Sequence, residues 1–408
     1  MPNKDRPTRD RPNRDRRDDR RRSRDDEYDE YDYDPRYDRQ MRYAEKETGG
    51  GCCSLYKFIL FILFLGGSLA AIFGFVDVEQ IQDFFTQHLG GSGESGGTDS
   101  GGGGGSIPVV EDLPFMRCPE TGECCNGLES NCDMRVDELM YATVHNANHD
   151  DILVPNHEAP LEKALEAGYR GLMLDVCKCD DQITFCHSVC GLGPRDATEV
   201  FTNINSFLDD NPTELVILNF EMSVDDPTPQ EIWNIISPIT DFRRKVYNHD
   251  GGQWPTMREL LANNHQVLLF EHNSKLDCTN GGVGCAARIE SFFQYAVENP
   301  WDFDSIASLE NTDVSCAEDR GSGSRENFFS VNGFITGTFG PSKSAANTVN
   351  QRDFISNQIQ KCEKVTKHKV NFYNIDFWQR GDLLSVTQEI NIDRGKRRRS
   401  RYLRWIMG

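Results

Sequence analysis

The stretch "LMYATVHNANHDD" at residues 139–151 is a short apolar run that breaks off in an imidazole and an amide, His145 and Asn146. The pattern returns three times downstream. "GLMLDV" (171–176) carries Asp175, "ITFCHS" (183–188) carries His187, and "LVILNFE" (215–221) closes on Glu221. Short runs of β-branched and aromatic residues with polar boundaries are strand signals, and they place strands at 139–144, 171–176, 183–186 and 214–220. Further strands are expected at 266–270, 328–335 and 371–377. Helical patterns lie between several of them. "PLEKALEAG" (160–168) has proline in its first turn and glycine at its end, "RDATEVFTNINSFLDDNP" spans 195–212, and others begin at Pro227, Pro255 and Ser344. Strands alternating with helices imply an α/β fold with a parallel sheet. Seven strands plus the unassigned region 278–325 suggest a TIM-type (β/α)8 barrel, with a doubly wound open sheet as the alternative.

In a barrel of parallel strands the carboxyl ends form one face, where such enzymes carry their chemistry. His145, Asn146, Asp175, His187 and Glu221 would therefore converge, delivered by four consecutive strands. Singly, each has an ordinary role: a satisfied histidine, a loop-capping carboxylate, a turn asparagine. Jointly they suit cleavage of a phosphodiester by an internal hydroxyl. One imidazole takes the proton of the attacking hydroxyl and the other gives one to the leaving oxygen. Carboxylates with an amide oxygen make a hard site for Ca²⁺, which offsets charge growing on the phosphate.

Composition divides the 408 residues unevenly. Residues 1–53 form an Arg/Asp-rich arm, with 15 basic and 15 acidic residues in the first fifty and little beyond tyrosine to bury; it is expected to be disordered and cytosolic. Residues 54–76 hold a single charge, Lys57, and are long enough to cross about 30 Å of hydrocarbon as one helix. A retained signal anchor fits better than a cleaved signal peptide, because the arm is far longer than an ordinary leading segment. Basic residues precede this stretch, and none lies between Val76 and Arg117. That asymmetry predicts a single-pass protein with its amino terminus in the cytosol and the large domain extracellular or lumenal. A Gly/Ser-rich linker follows at 77–117, the folded domain at 118–393, and a basic tail at 394–408.

Between residues 77 and 393 there are 50 acidic and 21 basic residues, a balance that argues against a nucleic-acid partner. The tail, "RGKRRRSRYLRWIMG", either lies on an anionic membrane surface or is a solvated terminus. In the former case, tether and tail together would keep the barrel mouth near a bilayer. Of 14 cysteines, Cys52 and Cys53 border the apolar stretch, where palmitoylation is one reading, and twelve lie beyond it. An even dozen outside the cytosol implies disulfides. The cluster Cys177, Cys179, Cys186, His187 and Cys190 also admits a zinc reading, though its spacing fits no common template.

The ordered motifs "TVHNA", "GYRGLMLDV", "ITFCHSVCGLG" and "FLDDNPTELVILNFE" resemble the phosphatidylinositol-specific phospholipase C X-domain superfamily of TIM-barrel phosphodiesterases, most of all its plant and microbial secreted branch. "QWPTMRELLANNHQVLLFEH" and "NFYNIDFWQRGDLLSVTQEIN" look like that branch too, and the resemblance covers 134–391. It implies that His145 is the general base and His187 the general acid, with Asn146, Asp175 and Glu221 at the calcium-binding positions. One position departs from the pattern. Metal-dependent members carry a carboxylate two residues before Asp175, where this chain has Met173. The bacterial alternative, an arginine in place of Asp175, is absent as well, and Lys178 reads as a surface lysine. The expected activity is phospholipase C-like hydrolysis of a phosphoinositide, a glycosylphosphatidylinositol or a related lipid. A soluble or sphingolipid head group is a second reading. A catalytically silent, membrane-tethered binding or adhesion module is the third, and Met173 favours it.

Overall fold

The computed structural model describes residues 123–150, 154–186, 190, 194–221, 227–272, 288–321, 328–337 and 340–407. The arm, the apolar stretch and the linker lie outside the described residues, as does His187. Among the described residues no helix is long and apolar enough to cross a membrane. Thirteen strands are described there: β1 (Tyr141–Val144), β2 (Gly171–Cys179), β3 (Gln182–Phe185), β4 (Arg195–Asp196), β5 (Val216–Glu221), β6 (Val267–Glu271), β7 (Glu290–Ser291), β8 (Ala296–Glu298), β9 (Arg320–Gly321), β10 (Phe328–Asn332), β11 (Thr336–Gly337), β12 (Gly340–Pro341) and β13 (Val370–Ile375).

Eight of them pair in parallel, in the order β7-β6-β5-β2-β1-β13-β10-β8. The first strand lies beside the last, so the chain circles once round a curled sheet. A doubly wound sheet would instead set β1 against a mid-chain strand. Among the described residues no pairing joins β7 to β8, which leaves a seam in the curl there.

Alternation along the strands builds two cores. Ala142, Val144, Leu172, Leu174, Val216, Leu218 and Phe220 face outward and pack with helix residues such as Leu161, Leu165, Val200, Phe201 and Leu208. Tyr141, Ile217, Leu268, Phe270, Phe328 and Phe372 form the second core with Trp254. Phe270 and Phe328 come from opposite sides of the curl, yet their ring centroids are 6.1 Å apart, so this core fills the interior. The helices begin and end where their caps dictate. Pro160 precedes the helix Leu161–Ala167, and Gly168, at φ 117°, closes it in a conformation that costs glycine little. Thr228 with Glu231, and Thr256 with Glu259, form capping boxes on Pro229–Ile236 and Met257–Ala262. The stretch from Ser344 folds as two helices, Lys343–Val349 and Arg352–Thr366, rather than one.

The expectation for the third strand is corrected. The run at 183–186 is not a barrel strand: β3 pairs antiparallel with β2 as a hairpin, and β4 adds to it. Only Asp180 and Asp181 separate the strands, both left-handed at φ 49° and 61°, which is the two-residue turn geometry. A parallel crossover needs about a dozen residues. The eight-strand count is met instead by β7 and β8, from the region where the sequence showed no clear strand.

All nine described cysteines are disulfide-bonded. Cys177–Cys186 and Cys179–Cys190 brace the hairpin, Cys125–Cys132 closes the segment before β1, and Cys316–Cys362 ties two surface helices. The sulfurs of Cys179, Cys186 and Cys190 lie close together, but disulfide sulfur is not a thiolate ligand, so the zinc reading loses its donors.

The last helix, Leu383–Met407, runs unbroken through the boundary expected at 393/394. It descends antiparallel to β13. Asn391 bonds both backbone groups of Met140, and Arg394 reaches the carbonyls of Glu138 and Val370, at the amino ends of β1 and β13. The basic segment therefore projects from the face opposite the strand carboxyl ends. This overturns the expectation that it holds the barrel mouth to a bilayer.

Register is fixed at those amino ends by a buried ion pair, Arg170 Nε to Glu214 Oε2 at 2.8 Å, with both side chains about 5% exposed. Breaking one partner strands a buried charge. Arg170→Met or Glu214→Gln is expected to cost about 3–5 kcal/mol in urea unfolding, and the double change Arg170→Met/Glu214→Leu to recover much of it. Single-variant losses below about 1 kcal/mol would show that the pair does not hold the sheet.

Candidate active site

β1 ends at the carboxyl face with His145, whose N–H bonds the Ile375 carbonyl at 3.1 Å. Its ring stacks on Phe334, with centroids 3.8 Å apart and planes 7° from parallel. Its Nδ1 lies 2.9 Å from Asp376 Oδ1, just after β13, and Asn156 Nδ2 donates to the same oxygen at 2.7 Å. An ionised carboxylate can only accept a hydrogen bond, so Nδ1 carries the proton and the neutral ring keeps its lone pair on Nε2. Burial pushes the His145 pKa down. The charge and hydrogen bond of Asp376, with the charges of Glu221 and Glu298, more than offset this, and the pKa is raised.

The loop beyond β1 is pinned by other polar groups. His157 Nε2 donates to the His145 carbonyl at 2.6 Å, and burial lowers the His157 pKa to about 4, so it is a neutral structural histidine near pH 7. Asn146 takes the left-handed conformation at φ 46°, which asparagine tolerates, and its carbonyl accepts from His149 N–H to close a turn. The neighbouring Ala147 N–H bonds the Met173 carbonyl, tying the loop to β2. Asn146 is 3% exposed, and its Oδ1 has no hydrogen-bond partner among the described residues.

Asp175 and Glu221 are register partners on β2 and β5, so their side chains emerge level on neighbouring strands. His149 Nε2 stands 3.7 Å from Asp175 Oδ2. His272, after β6, brings Nδ1 to 3.4 Å from Glu221 Oε1, an ion-pair distance with poor hydrogen-bond alignment. Burial raises the Glu221 pKa, but the contact and charge of His272, with the charges of His145 and Arg320, hold it well below the usual carboxylate range. Met173 is buried two residues below Asp175, level with Asn219, and offers no oxygen.

Sequence reading thus named four groups that the fold brings to one end of the sheet: His145, Asn146, Asp175 and Glu221. The fifth, His187, is outside the described residues. Cys186, just before it, donates its N–H to the Asp175 carbonyl at 3.1 Å, so the hairpin returns the chain to the level of Asp175. Lys178 is a surface residue paired with Glu231 at 3.1 Å, as expected.

Four further groups were missed. Asp376 and His272 carry the same signal as His145, a polar residue directly after an apolar strand, in "NFYNID" and "VLLFEH". Glu298 and Arg320 carry none, because β8 and β9 are too short to recognise. Glu298 is fully buried, accepts from Ser330 Oγ at 3.2 Å and binds the Arg320 guanidinium, which also lies over Phe293. Asn374 Nδ2 links Ser330 Oγ at 3.0 Å to Asn332 Oδ1 at 2.7 Å, completing a polar layer beneath the site.

The family described as PI-PLC X 1 matches residues 131–391. A PI-PLC X domain-containing protein of Arabidopsis thaliana is 29% identical over 130 residues, which cover 28% of this chain and 29% of the relative's own length. Similar solved structures include the phosphatidylinositol-specific phospholipase C of Listeria monocytogenes, at 13% identity, TM-score 0.44, 64% of this chain and 95% of that one. A mutant of the Staphylococcus aureus enzyme is 12% identical at TM-score 0.46, over 64% of this chain and 93% of that one.

The electrostatics of His145 are testable without substrate. Its pKa is raised, so its contribution to stability is complete below the ordinary histidine value and lost as pH rises through the raised one. Asp376→Asn removes the largest raising influence and leaves burial, so the His145 imidazole resonances should titrate at lower pH in that variant. An unchanged NMR titration would mean that the 2.9 Å contact does not persist in solution.

Proposed function

The chain belongs to the PI-PLC X 1 family, and from that membership and the geometry around His145 we propose that it is a phospholipase C-like phosphodiesterase acting on a phosphoinositide or a related glycosylphosphatidylinositol-type lipid. The observation that carries the reading is the His145–Asp376 pair, which leaves Nε2 as a base at the end of the sheet where Asp175 and Glu221 also emerge. In this reading Nε2 accepts the proton of the substrate's own hydroxyl as its oxygen bonds to phosphorus. Asp376 meanwhile compensates the charge that forms on the ring. His187 returns a proton to the leaving oxygen as the second P–O bond breaks.

The oxygens of Asn146, Asp175 and Glu221 fit a hard cation, and the buried, unpartnered Asn146 Oδ1 is the clearest sign of it. Ca²⁺ held there would supply positive charge to the phosphate oxygens. Met173 withholds one donor, so the affinity should be modest. Nine disulfide-bonded cysteines support a domain that works outside the cytosol, in line with an amino terminus on the cytosolic side of a single membrane span. The acidic domain does not suit a nucleic-acid partner. A silent binding module is the second reading, and Met173 is the residue that favours it.

Turnover of phosphatidylinositol separates the two. His145→Ala and His187→Ala should each lower kcat by about 10²-fold or more, with unchanged far-UV spectra. Wild-type turnover in both variants would defeat the two-histidine chemistry, and absence of turnover in the parent would favour the binding module. For the cation, calorimetric titration with Ca²⁺ should show weakened binding in Asp175→Asn and Glu221→Gln and tighter binding in Met173→Glu. Identical isotherms in all four proteins would remove these residues from any metal site.

A further inference from the structure

The end of the last helix carries a charge pattern that the candidate active site does not use. Past Arg394, which is buried and bonded to Glu363 at 2.7 Å, lie Lys396, Arg397, Arg398, Arg399, Arg401 and Arg404. Arg397 pairs with Asp393 and Arg398 with Glu138, whereas Lys396, Arg399, Arg401 and Arg404 are exposed and make no ion pair among the described residues. Lys364, Lys367 and Lys369, at the turn into β13, add exposed positive charge on the same side. Partial burial and the charges of Arg394 and Arg401 lower the Lys369 pKa against the opposing pull of Glu138 and Glu363, so basic groups are crowded there. All of this occurs on a chain of net charge −21.

Apolar groups are interleaved with the basic ones. Four large hydrophobic side chains are exposed among the described residues, and two of them, Val365 and Leu403, are in this region. A basic surface with exposed aliphatic groups fits an anionic bilayer better than a nucleic acid, which offers the aliphatic groups nothing. The chain also arrives here. Asn126 bonds the backbone of Leu215 and Thr213, before the amino end of β5, so the incoming segment at Glu123 lies on the same face of the sheet. In the sequence, the apolar stretch 54–76 lies upstream of it.

We propose that the helix end from Lys396 to Arg404, with the basic turn before β13, docks on an anionic lipid bilayer and turns the His145 face away from it. Substrate then reaches His145 from the side remote from that bilayer. The inference rests on the direction of the strands and the last helix, and it does not depend on turnover.

Amide exchange of the full chain tests it, in vesicles of phosphatidylcholine alone and in vesicles that also contain phosphatidylserine. Phosphatidylserine should slow exchange across 395–404 about tenfold or more and leave the loop 377–382, beside Asp376, unchanged. The variant K396E/R399E/R401E/R404E should lose the slowing, and R399K/R401K/R404K should keep it; exchange at 383–391 reports whether each variant is folded. Equal exchange at 395–404 in the two vesicle types would overturn the proposal. So would slowing at 377–382, which would put the His145 face on the bilayer, or slowing at 395–404 by added RNA and not by phosphatidylserine.

Discussion

The register of the central strands depends on a pair of charges removed from water. Arg170 and Glu214 sit at the amino ends of β2 and β5, and a slip between the two strands would part them. A shift of one residue would also exchange the inward and outward faces of the strand that moved. With Arg170 and Glu214 joined, Gly171 lies beside Ile217 and the ladder runs level up to Asp175 beside Glu221. The pair at the bottom of the sheet therefore decides that two carboxylates meet at the top. It also accounts for the arginine in "GYRG" and the glutamate in "NPTE", each standing at the start of an apolar run.

The interior changes character along the same strands. At the amino ends it is aromatic, with Tyr141, Phe372, Phe328 and Phe270 in ring contact across the curl. One step up it becomes polar, with Thr143, Asn219, Ser330 and Asn374. At the rim it is ionisable. The aromatic layer excludes water from below, and the amides and hydroxyls hold the charged rim without adding charge of their own. Buried charge survives because it is paired: His145 with Asp376, Glu221 with His272, Glu298 with Arg320.

The hairpin β2–β3 interrupts the repeating strand–helix pattern at the site itself. Its tight turn and two disulfides make it a stiff flap rather than a crossover. Because β3 runs back along β2, it delivers Cys186 to the Asp175 backbone. A residue brought by a barrel strand would come up from the opposite end. Placement of Cys186 is thus a matter of antiparallel pairing, although this run was read as a parallel strand.

The sequence by itself determined the strands with strong apolar runs, the capped helices, the disulfide-rich character and four groups that meet at one end of the sheet. These are local properties: alternation, a proline before a helix, a glycine after it, a polar residue ending a strand. His145 and Glu221 were legible because each is an ionisable group at the end of such a run. Tertiary structure decided what depends on partners distant in the chain. Asp376 matters only because β13 closes against β1, 231 residues away from its histidine. Glu298 and Arg320 belong to strands of three and two residues, which no periodicity can mark. The direction of the last helix, and with it the face on which its arginines lie, was set by Asn391 and Arg394 finding backbone partners at the amino ends of β1 and β13. A one-dimensional pattern holds the composition of a face, but only the closed sheet says which way that face points.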